Sequence, residues 1–243
     1  MPMNRYLEQY KAKQGTVDDA LATIRDGDFV ATSGGVNAPL LFYKNLHRIA
    51  PRLREGFDFF YGTTYKKGDF EFLDSVECKE KIHTLSGFVL SGDEREYIRQ
   101  GHVDYVPTHY HSQGSKMIQA RGGLDVYVAA VCPMDERTGY FRTSLSNVNE
   151  TDFRNAAKKI YLEVVPSLPV IYGNNEIHIS EVEGIYEYDH PLETMDPLPF
   201  GEVEKQIGEY VAELVEDNWE SAQSRMQWPM PSWTRRIWES TQR

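Results

Sequence analysis

The run LDVYVAAVCP at 124–133 limits what this chain can fold into more than any other stretch. It is apolar almost without interruption and closes on Pro133. That is the pattern of a strand buried on both faces, as in a parallel sheet, and not the alternation of a half-exposed one. Such a strand needs covering layers above and below it.

The rest of the chain supplies them by alternation. TVDDALATIRDG carries a helix signal, with Thr16 as cap, Asp18 and Asp19 in the first turn, and Ala20, Leu21 and Ile24 as apolar stripe. DFVAT (28–32) is a short buried strand, SGGVNAP turns the chain, and Pro39 opens the helix PLLFYKNLHRIA. FDFFYG (57–62), IHTLSG (82–87) and VDYVP (103–107) read as further strands, with the helical DEREYIRQG before the last. TDFRNAAKKI is an amphipathic helix with Thr151 as cap, and IYLEVVPSLP is the strand after it. HISEVEGIYEYDHPLETM is a mixed helix or strand segment and DPLPFG a rigid linker. GEVEKQIGEYVAELVEDN sets Val203, Ile207, Tyr210, Val211 and Leu214 on one helical face. The expectation is an α/β fold, a mostly parallel sheet with helices on both faces.

Composition excludes several functions. The 243 residues carry a formal charge of -11, which argues against a nucleic-acid partner. No apolar run is long enough for a membrane helix, and the N-terminus lacks the apolar core of a secretory signal. Two cysteines, Cys78 and Cys132, form neither a disulfide framework nor a C-x-x-C pair, which fits a reducing, cytoplasmic setting.

Four segments are candidate sites. In ATSGGVNAP, Ser33, Gly34, Gly35, Val36 and Asn37 lie between a strand and a helix, where adjacent glycines let a ligand approach backbone amides. The segment is neither a dinucleotide fingerprint nor a P-loop, and a ligand-free sharp turn explains it as well. In VPTHYHSQG, Pro107, His109 and His111 follow a short strand, at the edge where parallel sheets collect their sites. A third ligand at sensible spacing is missing, so no metal is expected. Cys132 closes the best strand, where a buried thiol is more often inert than nucleophilic. Glu176, His178, Glu181 and Glu183 cluster in a way that suits acid–base work or a plain surface turn.

Five segments in register carry a resemblance: RDGDFVATSGG…AP, GHVDYVPTHYHSQGSKMI, LDVYVAAVCPMDERTGYF, AAKKIYLEVVPSLPVIYGNNEIHISEVEGIYE and GEVEKQIGEYVAELVEDN. Over residues 16–218 the chain resembles the first domain of the acetyl-CoA hydrolase/transferase family, nearest its 4-hydroxybutyrate and butyryl-CoA:acetate CoA-transferase branch. The resemblance implies a CoA-transferase α/β domain over 1–200, a helix over 201–218 leading into a second domain, and homo-oligomers at full length. It implies acyl-CoA and short carboxylates as partners, with the coenzyme A thioester a substrate and no tightly bound cofactor. It also implies ping-pong transfer through a glutamyl-CoA intermediate. The glutamate belongs to the second domain, after a glycine-rich element that has no match here. No catalytic residue is therefore assigned within the chain, which on its own is expected to be silent. Residues 33–37 and the 107–111 loop are expected to serve the acyl pocket and its oxyanion.

The composition changes at 217–218. All four tryptophans fall in 219–243, a segment of net charge +2 following one of -13. Met and Trp have single codons, and the codons for MQWPMP, read two bases later, can spell Asn-Ala-Val-Ala, close to a family motif. The expectation is a reading-frame change within the codons for 217–225. The alternative is a natural Trp/Arg segment binding a partner or membrane surface, against which Pro229 and Pro231 break any helix.

Overall fold

The computed structural model describes residues 5–62, 71–89, 92–145, 148–192 and 201–213. Its strands are β1 (Phe29–Thr32), β2 (Phe57–Phe60), β3 (Ile82–Ser86), β4 (Val103–Tyr105), β5 (Leu124–Val131), β6 (Tyr140–Arg142), β7 (Ala157–Val164), β8 (Glu176–His178) and β9 (Gly184–Glu187). Its α-helices are α1 (Arg5–Lys13), α2 (Val17–Thr23), α3 (Leu40–Asn45), α4 (Val76–Lys81), α5 (Gly92–Arg99), α6 (Gln113–Arg121), α7 (Glu150–Ala156) and α8 (Glu202–Glu213). Among the described residues, seven strands pair in the order β4-β3-β2-β1-β5-β7-β9, every pairing parallel. β6 and β8 form a small antiparallel ribbon.

The expected α/β architecture is present, and the apolar run at 124–131 is the reason for it. Val126 and Val128 of β5 enter one core with Phe57, Phe59 and residues of α2 and α3. Tyr127 and Ala129 enter the other, with Phe60, Met117 of α6 and Phe153 of α7. A strand whose alternate side chains go to two cores has no face left for solvent.

Boundaries depart from the sequence reading at four places. The helix expected over 39–50 is α3 only to Asn45, after which Leu46–Arg52 is a 3-10 helix containing Pro51. α7 starts at Glu150 with Asn149 as its cap residue, while the Thr151 hydroxyl donates to the Asn174 carbonyl at 3.2 Å. That helix ends at Ala156, because residues 157–159 already pair with β5 as part of β7. The mixed segment at 178–187 resolves into β8, a 3-10 turn (Ile179–Glu181) and β9. α1 is an addition, a polar helix holding Tyr6 and Tyr10 against the second core. Residues 1–193 group as one compact unit and 194–243 as another. In the second, α8 exposes Val203, Ile207 and Tyr210, as its periodicity predicts. The Val211 side chain, Leu214, the linker residues 196–200 and the tail 219–243 lie outside the described residues.

Two polar anchors fix the sheet. The first is Glu163, fully buried in β7. Its carboxylate accepts the Leu41 amide (3.1 and 3.2 Å) and the Phe42 amide (3.2 Å) at the start of α3. Pro39, at the cap position, offers no side-chain acceptor, so a strand 122 residues away supplies one. Burial outweighs these donors and raises the Glu163 pKa to about 7. The second is His83 of β3, bonded to Asp58 of β2 (2.6 Å) and Asp104 of β4 (2.7 Å), with Arg121 of α6 also on Asp58. Partial burial pulls the His83 pKa down, but hydrogen bonds and charge from Asp104 and Asp58 outweigh it and raise it.

Two stability measurements follow. Glu163→Leu leaves two buried amides without acceptors and should cost roughly 2–4 kcal/mol in urea unfolding, at about 1–3 kcal/mol for each unpaired group. Glu163→Gln, which keeps one acceptor oxygen, should cost less. A histidine whose folded pKa is raised stabilises fully below its unfolded value of about 6.5 and loses that contribution as pH rises through the folded value. The stability deficit of His83→Asn should therefore be largest below pH 6.5 and shrink above it. A deficit independent of pH would show that the two ion pairs contribute nothing.

Candidate functional site

Three strands end in the same way. Two residues beyond β1 stands Gly34, two beyond β2 Gly62, and one beyond β3 Gly87. All three line a cleft at the carboxyl edge of the sheet, together with Thr32, Gly35, Phe60, Tyr61, Phe88, Tyr110, Gln113, Val148, Asn149, Glu150 and Phe153. At Gly62 proximity to backbone requires glycine, and at Gly87 a side chain stands close. A Cβ on Gly62 would stand 2.2 Å from the Gly34 Cα and 2.4 Å from its nitrogen, and one on Gly87 would meet the Gln113 side chain at 2.7 Å.

Hydrogen bonds hold these loops together. Thr32 Oγ1 accepts the Gly62 amide (3.1 Å), Tyr43 donates to the Gly62 carbonyl (3.3 Å), and the two hydroxyls meet at 2.6 Å. If Tyr43 donates to the carbonyl, the Thr32 hydroxyl donates to Tyr43, and all three bonds form at once. On the far side, Gln113 donates to the Gly87 carbonyl (2.7 Å), and its amide oxygen accepts Asn149 Nδ2 at 3.5 Å. Asn149 Oδ1 accepts the Gly114 amide (3.0 Å), and the Asn149 backbone amide donates to Glu150 (2.9 Å). Glu150 lines the cleft together with Gly34, whose backbone amide favours the charged carboxylate, so the contacts lead back towards the first loop.

The floor is aromatic. Phe60 and Phe153 meet edge to face with centroids 5.8 Å apart, and Phe88 and Tyr110 pair at the rim at 5.1 Å. The free volume is about 50 Å³. One water needs roughly 10–15 Å³, so a group of about four non-hydrogen atoms fits. Among the described lining residues there is no Lys, Arg or His. The titratable groups are Tyr61, Tyr110 and Glu150. Tyr61 donates to the buried Glu94, and burial drives its pKa upward. Glu150 is 7 % exposed. Burial outweighs its backbone donors and lifts its pKa to about 7.

Of the residues singled out in the sequence, only Gly34 and Gly35 line the cleft. Ser33 is turned inward, donating to the Asn37 carbonyl and accepting the Ala130 amide at 3.2 Å. Asn37 is buried and accepts the Ser144 amide at 3.1 Å. Val36 packs against Ala130, Cys132, Val165 and Leu168. The 107–111 loop reaches the cleft through Tyr110, while Pro107, His109 and His111 are exposed and the two imidazoles face each other at 5.8 Å. Cys132 donates to the Pro169 carbonyl at 3.4 Å, and burial pushes its thiol pKa up. Glu176 pairs with Arg142 and Glu181 with Arg154, so those carboxylates serve the ribbon. Among the described residues no group of three or more His, Cys, Asp or Glu side chains could hold a metal. None of their helices is long and apolar enough to cross a membrane.

Sequence reasoning missed Gly62, Gly87, Gln113 and Glu150. The first two had a usable signal, a glycine just past a strand, as in ATSGG. Glu150 had none.

The cleft can be set beside known proteins. The family model for the acetyl-CoA hydrolase/transferase N-terminal domain matches residues 2–195. The chain is 32% identical over 213 residues to a succinyl-CoA:cyclohexane-1-carboxylate CoA transferase of Geobacter metallireducens, covering 87% of this chain and 47% of that protein. It is 27% identical to a 4-hydroxybutyrate coenzyme A transferase of Clostridium kluyveri, covering 86% and 48%. The crystal structure of RipA from Yersinia pestis superposes with a TM-score of 0.77 at 26% identity, over 87% of this chain and 50% of that one. The chain thus spans about half the length of the relatives it matches.

The glycine contact gives a direct test of the cleft's construction. Gly62→Ala must drive the β1 and β2 loops apart, and should destabilise the protein by about 2 kcal/mol or more, the scale of overpacking in a filled site. Gly101→Ala, with φ +71° but nothing within 4 Å, should cost only about 1 kcal/mol. Equal losses in thermal or urea unfolding would mean that the loops do not touch as described.

Proposed function

The chain belongs to the acetyl-CoA hydrolase/transferase family, and from that premise we propose that residues 5–192 form the acyl-side wall of a CoA-transferase site. The cleft beyond β1, β2 and β3 takes the acyl group of a thioester, or the short carboxylic acid that replaces it. The observation that carries this reading is the cleft itself. Its volume suits about four non-hydrogen atoms, its aromatic floor suits an alkyl end, and its rim of glycine backbone suits a carbonyl oxygen. Coenzyme A is far too large for it and would lie outside, bound as a substrate and not as a resident cofactor.

In this reading Gly34 and Gly35 contact the oxyanion, while Ser33 and Asn37 hold that loop from beneath. Val36, Pro107, His109 and His111 support the loops from outside the cleft. The attacking glutamate comes from a second domain of the kind the longer relatives have room for. The protein would act on acyl-CoA and acetate-like acids in the cytoplasm, as a homo-oligomer at full length. A catalytically silent domain, or an assembly partner of an intact subunit, is the second reading.

The purified chain, given butyryl-CoA and acetate, should turn over more than tenfold slower than the butyryl-CoA:acetate CoA-transferase of Anaerostipes caccae, a relative at 26% identity. Turnover within a factor of ten would refute the silent state. Binding tests the cleft separately. Saturation-transfer NMR should show butyrate, about four of whose six non-hydrogen atoms the cleft can enclose, held by the chain and lost in Val148→Trp, which fills the cleft from its partly exposed wall. Butyrate bound equally by both proteins would place the acid elsewhere.

A further inference from the structure

Glu150 has no counterpart in the family resemblance or in the roles given above. We propose that Glu150 is the group that admits a carboxylate to this cleft: it takes up one proton as the anion enters and donates it as a hydrogen bond to a ligand oxygen. The proposal rests on the reading of the cleft as a short-carboxylate site.

Geometry is the first support. Glu150 is more than nine-tenths buried, lines the cleft, and has no ion-pair partner among the described residues. Its carboxylate accepts the Asn149 amide at 2.9 Å, and it lines the cleft beside Gly34, whose amide favours its charged form. An incoming carboxylate or oxyanion would draw on the same amide, so an ionised Glu150 competes with the ligand. Protonation lessens that competition and turns the side chain from an acceptor into a donor.

Electrostatics is the second. The groups facing Glu150 are phenols: Tyr61 from the end of β2, Tyr110 from the 107–111 loop, and Tyr127 from β5. Tyr127 and Tyr61 are held neutral by burial, and behind Tyr61 lies the Glu94 carboxylate. On its own helix Asp152 is engaged with the Ser115 amide at 3.1 Å. Among the described lining residues no cation offsets two negative charges. A carboxylate next to an ionised Glu150 would repeat the like-charge pair that forces one of two close carboxyls to keep its proton. A value near 7 for the free site makes that proton available at neutral pH. Where Glu150 starts ionised, the balance is one acetate anion and one solvent proton taken up together; the Glu150 O–H is the one bond formed, and acetate itself is unchanged.

The test uses the full chain and acetate alone. Its Kd is measured from pH 5.5 to 9 by titration calorimetry, in two buffers of different ionisation heat. Acetate stays ionised throughout. The Kd should be level below about pH 7, with no net proton uptake because Glu150 is already protonated, and then weaken about tenfold per pH unit as uptake rises to one proton per acetate. In Glu150→Gln the Kd should be level throughout and the proton uptake absent. Acetate that binds both proteins with one pH-independent Kd, and still displaces butyrate, overturns the role of Glu150 and leaves the cleft reading standing. No binding of acetate or butyrate at any pH overturns both. Should the variant not fold, the carboxyl carbon-13 shift of Glu150 in the wild-type chain decides the matter. Its midpoint must rise when acetate is added, and an unmoved midpoint overturns the proposal.

Discussion

The site depends on one approach of backbone to backbone, that of Gly62 to Ser33 and Gly34. Two parallel strands lie about 5 Å apart, and loops leaving their carboxyl ends normally splay. Here they stay in contact beyond the last ladder bond. Position 62 carries no Cβ, and Thr32, Tyr43 and Gly62 bond one another just below. The contact has two consequences. It closes the cleft from beneath, so that Phe60 and Phe153 form a floor. It also fixes the Gly34 loop, whose hidden side is tied down through Ser33 and Asn37 to Ala130 and Ser144. Inward-facing polar residues at a candidate site thus serve it by holding still what the ligand would touch.

Two buried glutamates show how one residue type is put to two uses by its surroundings. Both lose solvation and both have raised pKa values of about 7. Glu163 has its oxygens on the first amides of α3 and faces a closed aromatic core, so its work ends in the fold. Glu150 has amides on one side and the cleft on the other. A buried carboxyl facing an opening is worth carrying only if something enters, since burial without a cation is costly in either case.

The central architecture was legible because β5 states its environment in its own composition, and a strand apolar on both faces admits few arrangements. β1, β2 and β3 were legible for the same reason, as was the helix beginning at Val17. Its first turn needs only local groups, with Asp19 accepting the Thr16 amide at 2.7 Å. What was lost depended on distant partners. AAKK at 156–159 favours helix locally, yet Leu124 pairs with Ala157 and Val126 with Lys159, and the sheet wins. The polar α1 is held by contacts such as Tyr10 to Glu187 at 2.6 Å, 177 positions away. Glu150 reads as a surface acid at a helix start, which it would be had the Gly34 loop not been brought over it. The motif at 33–37 was found but its orientation was not, because which of five residues faces a ligand is decided by β5 and not by the motif.

In the proposed reading, the lack of a cation among the described lining residues bears on chemistry as well as binding. A lysine or arginine there would hold a free carboxylate far more tightly than a neutral thioester. In a transfer that must pass between the two, such preference deepens the ground state of one partner and slows the reaction overall. Backbone amides and a carboxyl that can carry a proton make a weaker distinction. In the proposed reading they would serve a neutral carbonyl oxygen by donation, and an anion at the cost of one proton. A protein of net charge -11 gives little long-range attraction to anions. For this wall, then, discrimination rests on size and on hydrogen bonds within a few ångströms. Charge would enter through whatever completes the site from the other side.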